Sequence, residues 1–134
     1  SSGQGIFIFT NIFNDAPYYI QLQHRNSIET WSSSPGQMFS GNSLTYNFTN
    51  AQSKAFGNNQ ILVDNSPVSY AIFSGDVDQN DAVNLADIVE IYNDAGSFIT
   101  GYIPTDVNGD NVTELSDMII AYNNSAAFAI VISP

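Results

Sequence analysis

The sequence predicts a mixed fold, with an N-terminal antiparallel β domain in residues 1–73 and a small helical domain in residues 74–134. Three observations support this division. Short apolar or alternating segments separated by turn residues fill the first part. A tandem duplication with a helical apolar pattern fills the second part. The two parts also differ in charge: ten of the thirteen acidic residues follow residue 74, whereas both basic residues precede it.

Five short segments of the first part are typical of strands. One of them, YYIQLQH at residues 18–24, alternates, with Tyr18, Ile20 and Leu22 on one face. The other four segments are IFIFTNIF, SIETW, SLTYNFT and QILVD. Turn sequences such as NDAP, SSSPGQ and DNSP separate them. We therefore expect a sandwich-like antiparallel arrangement that is incomplete, since these five segments, or about six strands at most, are few for a closed sandwich.

Composition excludes several classes of function. A formal net charge of −11 with only two basic residues argues against nucleic-acid binding, because phosphates need a basic surface. No apolar run is long enough to span a membrane. The absence of cysteine excludes disulfides and thiolate metal sites. One histidine, no nucleophile motif and no glycine-rich phosphate loop together predict a protein that is not an enzyme.

The duplication aligns residues 75–98 with residues 105–128. Within each copy, four apolar residues fall at i, i+3, i+4 and i+7, which is the spacing of one face of a helix. These residues are Leu85, Ile88, Val89 and Tyr92 in the first copy and Leu115, Met118, Ile119 and Tyr122 in the second. Each copy therefore predicts a short helix that begins near its last aspartate and packs this stripe in the core.

Oxygen-bearing side chains precede each helix at the spacing of an EF-hand loop, which supplies ligands from positions 1, 3, 5, 7 and 12. Position 7 contributes its backbone carbonyl. The predicted ligands are Asp76, Asp78, Asn80, Ala82 and Asp87 in the first loop and Asp106, Asn108, Asp110, Val112 and Asp117 in the second. Calcium prefers such oxygen ligands, so the sequence predicts two Ca²⁺ ions.

Positions 6 and 8 of the two loops carry further expectations. Position 6 is usually glycine, because the chain turns there with φ > 0. Here it is Asp81 and Asn111, and these residue types tolerate that conformation best after glycine. Position 8 is β-branched in both copies, Val83 and Thr113, which predicts that a short strand pairs the two loops.

The two loops, with Asp at position 12 and one helix each, resemble the dockerin type I repeat over residues 74–134. That resemblance implies two packed calcium loop–helix units and docking onto a cohesin module. Cohesin-binding members commonly carry a Ser/Thr pair at positions 10 and 11. Here those positions are Leu85-Ala86 and Leu115-Ser116, and no basic residue follows, so the cohesin-contact residues do not carry over. The stretch HRNSIETWS and the ending VISP resemble terminal modules of secreted bacterial proteins, which implies an extracellular location.

Two functional hypotheses remain open at this point. In the first, the protein is an extracellular filament subunit that binds copies of itself, with IFIFTNIF completing a neighbour's sheet by β-augmentation. AAFAIVI, residues 126–132, is a second candidate for the donated strand. In the second hypothesis, the chain is a docking module of a larger secreted protein and binds a cohesin-like partner. We favour self-assembly, because the usual cohesin-contact residues are missing.

Overall fold

The computed structural model describes residues 4–134 and confirms a mixed class of antiparallel β-sheet and α-helix. Two short 3₁₀ turns span Gln52–Lys54 and Phe56–Asn58. The regular elements are β1 (Pro17–Tyr18), β2 (Gln21–His24), β3 (Ser27–Trp31), β4 (Gln37–Met38), β5 (Ile61–Asn65), β6 (Val68–Ala71), α1 (Leu85–Gly96) and α2 (Leu115–Ala126).

The strands form three separate antiparallel pairs, β1 with β4, β2 with β3, and β5 with β6. In the β5–β6 hairpin, Leu62 faces Tyr70 and Asn65 faces Val68. The strands have two to five residues each, so no pair extends into the two packed sheets of a sandwich. Within the described residues, β3 gains only isolated bridges outside its pair, at Ser27 and Thr30.

Two of the strand predictions are wrong. Residues 6–13, the IFIFTNIF segment, contain no strand and are almost entirely exposed to solvent. SLTYNFT forms no strand either, and only Ser43 makes an isolated bridge, to Ser40. A strand needs a partner for its backbone N–H and C=O groups, and neither segment pairs with another strand in this part of the chain. Conversely, β4 and β6 were not predicted.

One core joins the first half of the chain to the repeats. Ile28 of β3 is fully buried and packs with apolar residues of both repeats. The other buried members are Val77, Val83, Ile91, Ala121 and Ala129. Backbone hydrogen bonds follow the same route, because Ile28 N–H donates to the Phe73 carbonyl and Gly75 N–H donates to the Asn26 carbonyl. Strand β3 therefore helps to position the first loop.

Gly75 allows the first loop to lie directly against α2. Its φ of 109° is unfavourable for residues with a side chain. A Cβ added at this position would lie 2.9 Å from the Cα of Ala121, which is closer than packed atoms come. Any larger residue at position 75 would therefore push the loop away from α2.

The apolar stripe on the two helices does not pack in the core, so that prediction is wrong for most of its members. Leu85 is 70% exposed and its counterpart Leu115 is 66% exposed. Val89, Ile119 and the two stripe tyrosines are also exposed, whereas Ile88 and Met118 pack against the core. The helices instead bury the adjacent faces that carry Ile91 and Ala121, leaving an apolar surface over α1 and α2.

A phenylalanine with left-handed backbone lies two residues beyond the end of each helix, Phe98 with φ 53° and Phe128 with φ 56°. These residues directly follow the C-caps Ser97 and Ala127, where glycine is the common choice. Both rings are about 85% exposed, so they gain little from burial. The left-handed backbone costs a non-glycine residue roughly 1–2 kcal/mol.

Phe98→Gly is therefore expected to raise the free energy of unfolding by about 1 kcal/mol, measured by urea denaturation. Phe98→Ala is the control, because it removes the ring but keeps the Cβ that opposes the left-handed backbone. We expect Phe98→Ala to leave the free energy of unfolding almost unchanged. Equal stability of the two variants would contradict this account.

Candidate metal centre

Three carboxylates of the first loop converge on one point. Asp76, Asp78 and Asp87 each place an oxygen so that all three atoms lie within 4.8 Å of one another. Asp76 and Asp87 are buried, and Asp78 is exposed. Among the residues described, no other group of histidines and acidic residues meets this distance. The cluster could hold a metal ion, and its all-oxygen donors suit a hard cation.

Backbone N–H groups fix the orientation of Asp87. Its Oδ1 accepts hydrogen bonds from the N–H groups of Val77 (2.8 Å) and Asp78 (3.3 Å). Its Oδ2 accepts from the Asn84 N–H at 2.8 Å. Asn84 is the N-cap of α1, and its side chain accepts from the Ala86 N–H. Asp87 thus lies in the first turn, where the helix dipole favours a carboxylate.

Asp76 is held by the turn that follows it. Its Oδ1 accepts from the Asn80 N–H at 2.9 Å, and its Oδ2 accepts from the Asp81 N–H at 3.2 Å. Asp81 has φ 73°, so the left-handed turn expected at position 6 is confirmed. Gln79 is also left-handed, with φ 56°. This reversal directs the N–H groups back towards the carboxylate at position 1.

The other two predicted ligands of the first loop lie beside the cluster and bond to neighbouring side chains. Asn80 donates from Nδ2 to Asp78 Oδ2 at 2.7 Å. Its Oδ1 accepts from Asn84 Nδ2 at 3.4 Å, and the Ala82 carbonyl accepts from the same Nδ2 at 3.2 Å. The carboxylate triad is therefore the part of the predicted ligand set that the structure brings together.

The second loop repeats the arrangement around its last aspartate. Asp117 Oδ1 accepts from the N–H groups of Val107 (2.7 Å) and Asn108 (2.9 Å), and its Oδ2 accepts from the Glu114 N–H (2.9 Å). Asp106 and Asp117 are both fully buried. The backbone at Asn111 is left-handed with φ 71°, like that of its counterpart in the first loop.

The second loop differs in its middle positions. Asn108 Nδ2 donates to Asp110 Oδ2 at 3.0 Å, and Asp110 Oδ1 accepts from the Val112 N–H at 2.9 Å. The carboxylate of Asp110 is thus occupied by bonds within its own loop. Because position 3 is an amide here, the two loops do not present the same carboxylate set, and the first is the better-formed cation site.

Two residues that sequence reasoning missed contact the second loop. Arg25 donates from Nη2 to the Asp106 carbonyl at 2.8 Å, and the same nitrogen lies 3.5 Å from Asp106 Oδ2. Asn26 donates from Nδ2 to the carbonyls of Asp106 (2.9 Å) and Pro104 (3.0 Å). The only signal in the sequence was that Arg25 is the single arginine of a strongly acidic chain.

The two loops do not pair with each other, so that prediction is wrong. Val83 N–H donates to the Ala129 carbonyl at 2.9 Å, which joins the first loop to the segment after α2. Thr113 N–H donates to the Ile99 carbonyl at 3.2 Å, which joins the second loop to the segment after α1. Each loop therefore pairs with the segment that follows the other repeat's helix, and the two repeats interlock.

Burial raises the pKa of Asp76 from 3.8 to about 6, and the nearby charges of Asp87 and Asp78 add to this effect. Its hydrogen bonds from Asn80 and Asp81 act in the opposite direction but do not cancel it. Burial, together with the charges of Asp94 and the first loop, also raises the pKa of Glu90. Without a cation, the surroundings of Asp76 therefore disfavour its charged form.

The raised pKa of Asp76 predicts a pH effect on the metal-free protein. Between pH 3.8 and about 6, Asp76 is mostly protonated in the folded state and mostly ionised in the unfolded state. The contribution of Asp76 to stability therefore falls as the pH rises through this window and stays low above it. Thermal melts in metal-free buffer should show that Asp76→Asn gains stability relative to wild type from pH 4 to pH 7. Asp15→Asn, at an exposed acid, is the control, and parallel pH profiles for Asp76→Asn and wild type would contradict the prediction.

Comparisons with known proteins leave the family open. No family model, curated protein or solved structure gives a significant match to this chain. The resemblance to the dockerin repeat therefore stays a prediction from the loop residues. Neither α1 nor α2 has the length and apolar character that a membrane crossing requires, and the rest of residues 4–134 contains no longer helix.

Proposed function

We propose that this protein is an extracellular, non-catalytic structural module that binds two Ca²⁺ ions and polymerises by strand exchange through its N-terminal segment. The observation that carries this proposal is the segment Ile6–Phe13. It is strongly apolar, it lacks charged residues, and it is exposed to solvent without a strand partner in the described chain. Ile6 is 96% exposed and Ile8 is 92% exposed.

Such exposure is unfavourable for an isolated molecule. Fully burying one isoleucine or phenylalanine side chain contributes roughly 1.5–3 kcal/mol. Five large side chains of this segment are exposed, namely Ile6, Phe7, Ile8, Phe9 and Phe13. Contiguous apolar surface of this kind marks an interaction site, and an apolar segment without a partner strand suits addition to a sheet edge.

The C-terminal segment, the second candidate for donation, is held within its own chain. Ala129 is buried, and Val131 N–H donates to the Asp81 carbonyl at 2.9 Å. Ile130 bridges to Ala82, and Ile132 bridges to Thr30. These contacts favour the N-terminal segment as the donor.

In this proposal calcium has a structural role. Asp76, Asp78 and Asp87 would hold one ion, with the Asn80 side chain and the Ala82 carbonyl completing the set. Asp106, Asn108, Asp110, Asp117 and the Val112 carbonyl would hold the other. A bound divalent cation supplies positive charge that compensates the repulsion among these carboxylates. The chain contributes the pre-oriented oxygens, the left-handed turns and the helix N-termini.

The proposal predicts that the purified chain forms long polymers in calcium, seen by light scattering and negative-stain microscopy. The double variant Ile6→Ser, Ile8→Ser is expected to stay monomeric, because its donated face can no longer enter an apolar site. The control is the double variant Leu85→Ser, Leu115→Ser, which changes two exposed apolar residues on the helices and should still polymerise. Polymers of the Ile6, Ile8 variant as long as those of wild type would refute strand exchange through this segment.

A second candidate function is docking to a cohesin-like partner. It is favoured by the exposed apolar surface of α1 and α2, where Leu85, Val89 and Tyr92 have counterparts at equivalent positions of the second helix. Binding to a panel of cohesin modules, lost in the Leu85→Ser, Leu115→Ser variant but kept in the Ile6→Ser, Ile8→Ser variant, would favour docking over self-assembly.

A further inference from the structure

A donated strand needs an open sheet edge as its acceptor, and β5 has one. The β5–β6 sheet contains only two strands. No backbone hydrogen bond joins residues 61–65 to any described segment other than β6. The opposite edge of the hairpin is partly used, because Tyr70 N–H donates to the Thr49 carbonyl at 2.8 Å. The outer edge of β5 therefore offers unpaired N–H and C=O groups.

An apolar groove of about 320 Å³ adjoins this hairpin and reaches α2. Its aliphatic lining comes from Ile61, Val63, Ala71, Ile72 and Ile120. Its remaining lining residues are one serine and two asparagines, so no charged residue faces it. Ile61 and Val63 belong to the open strand itself. A strand added beside β5 would direct every second side chain towards the same groove.

The edge of the β2–β3 pair fits an apolar donor less well. Strand β2 has the sequence QLQH, and three of its four residues are polar and exposed. Strand β3 is covered on both sides, by β2 on one and by bridges to Ser74 and Ile132 on the other. Among the described strands of four or more residues, β5 alone combines an open edge with an adjoining apolar groove.

We infer that the outer edge of β5 and its groove accept the Ile6–Phe13 segment of a neighbouring copy. This inference rests on the proposed function and specifies its acceptor. Backbone hydrogen bonds would form along Leu62 and its neighbours, and alternate donor side chains would fill the groove. Because each copy carries one donor and one acceptor at different places, the contact is head-to-tail and propagates.

Size and charge are consistent with this pairing. Burying all the exposed large side chains of the donor would remove at most roughly 600 Å² from solvent, about three quarters of the ~800 Å² per partner of a standard interface. The acidic residues give each copy a net charge of −11, so copies repel one another at long range. A donor and a groove that both lack charged residues allow contact without burying unpaired charge.

The chain has no native cysteine, so the pairing can be tested by directed disulfide formation between full-length variants. Phe9→Cys is activated as its mixed disulfide with thiopyridine and mixed, in calcium, with reduced Leu62→Cys. Leu62 is on the open edge, is 44% exposed, and alternates to the face opposite Ile61 and Val63. Donor residues Phe7 and Phe9 would lie on this same face, so Ile6 and Ile8 remain in place to fill the groove. Neighbouring strands bring Cα atoms to the separation that a disulfide requires. Gln23→Cys, at an exposed position on β2, is the matched acceptor control.

We expect the heterodimer with Leu62→Cys to form at least tenfold faster than that with Gln23→Cys, and Phe7→Cys to show the same preference. Equal rates, or a preference for Gln23→Cys, in a chain that still polymerises would overturn the β5 acceptor and leave strand exchange standing. A wild-type chain that stays monomeric in calcium and variants that do not cross-link would overturn both.

Discussion

Transfer from about 1 mM Ca²⁺ to a chelator is expected to lower the free energy of unfolding by about 5 kcal/mol. A site with a Kd on the order of 10 μM contributes roughly 2.7 kcal/mol at this concentration, and the sequence predicts two such sites. That sum equals the whole stability of a small domain. Once the ion is removed, repulsion between Asp76 and the nearby carboxylates also lowers the free energy of unfolding. Thermal melts with and without chelator measure the effect.

Magnesium is the matched control for this experiment. It demands a smaller octahedral site and gives up its water reluctantly, so we expect it to restore only a small part of the stability lost in chelator. Size analysis of the same samples shows whether polymers depend on calcium. An identical melting temperature in calcium and in chelator would refute the calcium sites.

Asp87→Ala is expected to be the most destabilising single substitution in the first loop. It removes a carboxylate that accepts three backbone hydrogen bonds, from Val77, Asp78 and Asn84. An N–H group left unsatisfied in a buried site costs about 1–3 kcal/mol. We therefore expect a loss of about 4 kcal/mol even in chelator, by urea denaturation. In calcium the loss is larger, because the first site is also removed.

Isothermal titration separates the two effects of this substitution. Asp87→Ala should lose one of two calcium equivalents and keep the other, whereas Asp15→Ala, which removes an exposed acid outside the loops, should keep both. Asp117→Ala tests the equivalent carboxylate of the second loop. Two calcium equivalents bound by Asp87→Ala would show that the first-loop ligand assignment is wrong.

The short-range features of the repeats were predictable. The spacing of Leu85, Ile88 and Tyr92 predicted a helix, and α1 begins at Leu85. The aspartate at loop position 12 lies in the first turn of each helix, as expected. The left-handed backbone at Asp81 and Asn111 also followed from residue type. These features depend on residues less than one loop apart, so local steric and hydrogen-bonding rules suffice to predict them.

Long-range packing was not predictable from the same patterns. An apolar stripe indicates a helix but not which neighbour covers it, and here Leu85 and Leu115 remain exposed while Ile91 and Ala121 fill the core. The limited room beside Gly75 shows how closely α2 approaches the first loop. Strand formation at IFIFTNIF likewise depends on a partner strand, and no segment of residues 4–134 pairs with it.

The sequence by itself determined the mixed class, the two loop–helix repeats and the positions of the three carboxylates that form the cluster. Each of these depends on contacts between residues close along the chain. The tertiary structure decided that Arg25 reaches Asp106, that each loop pairs with the segment after the other helix, and that β5 keeps an open edge. Those outcomes depend on contacts between residues far apart in the sequence. Local conformational preferences do not determine which of several possible long-range contacts forms.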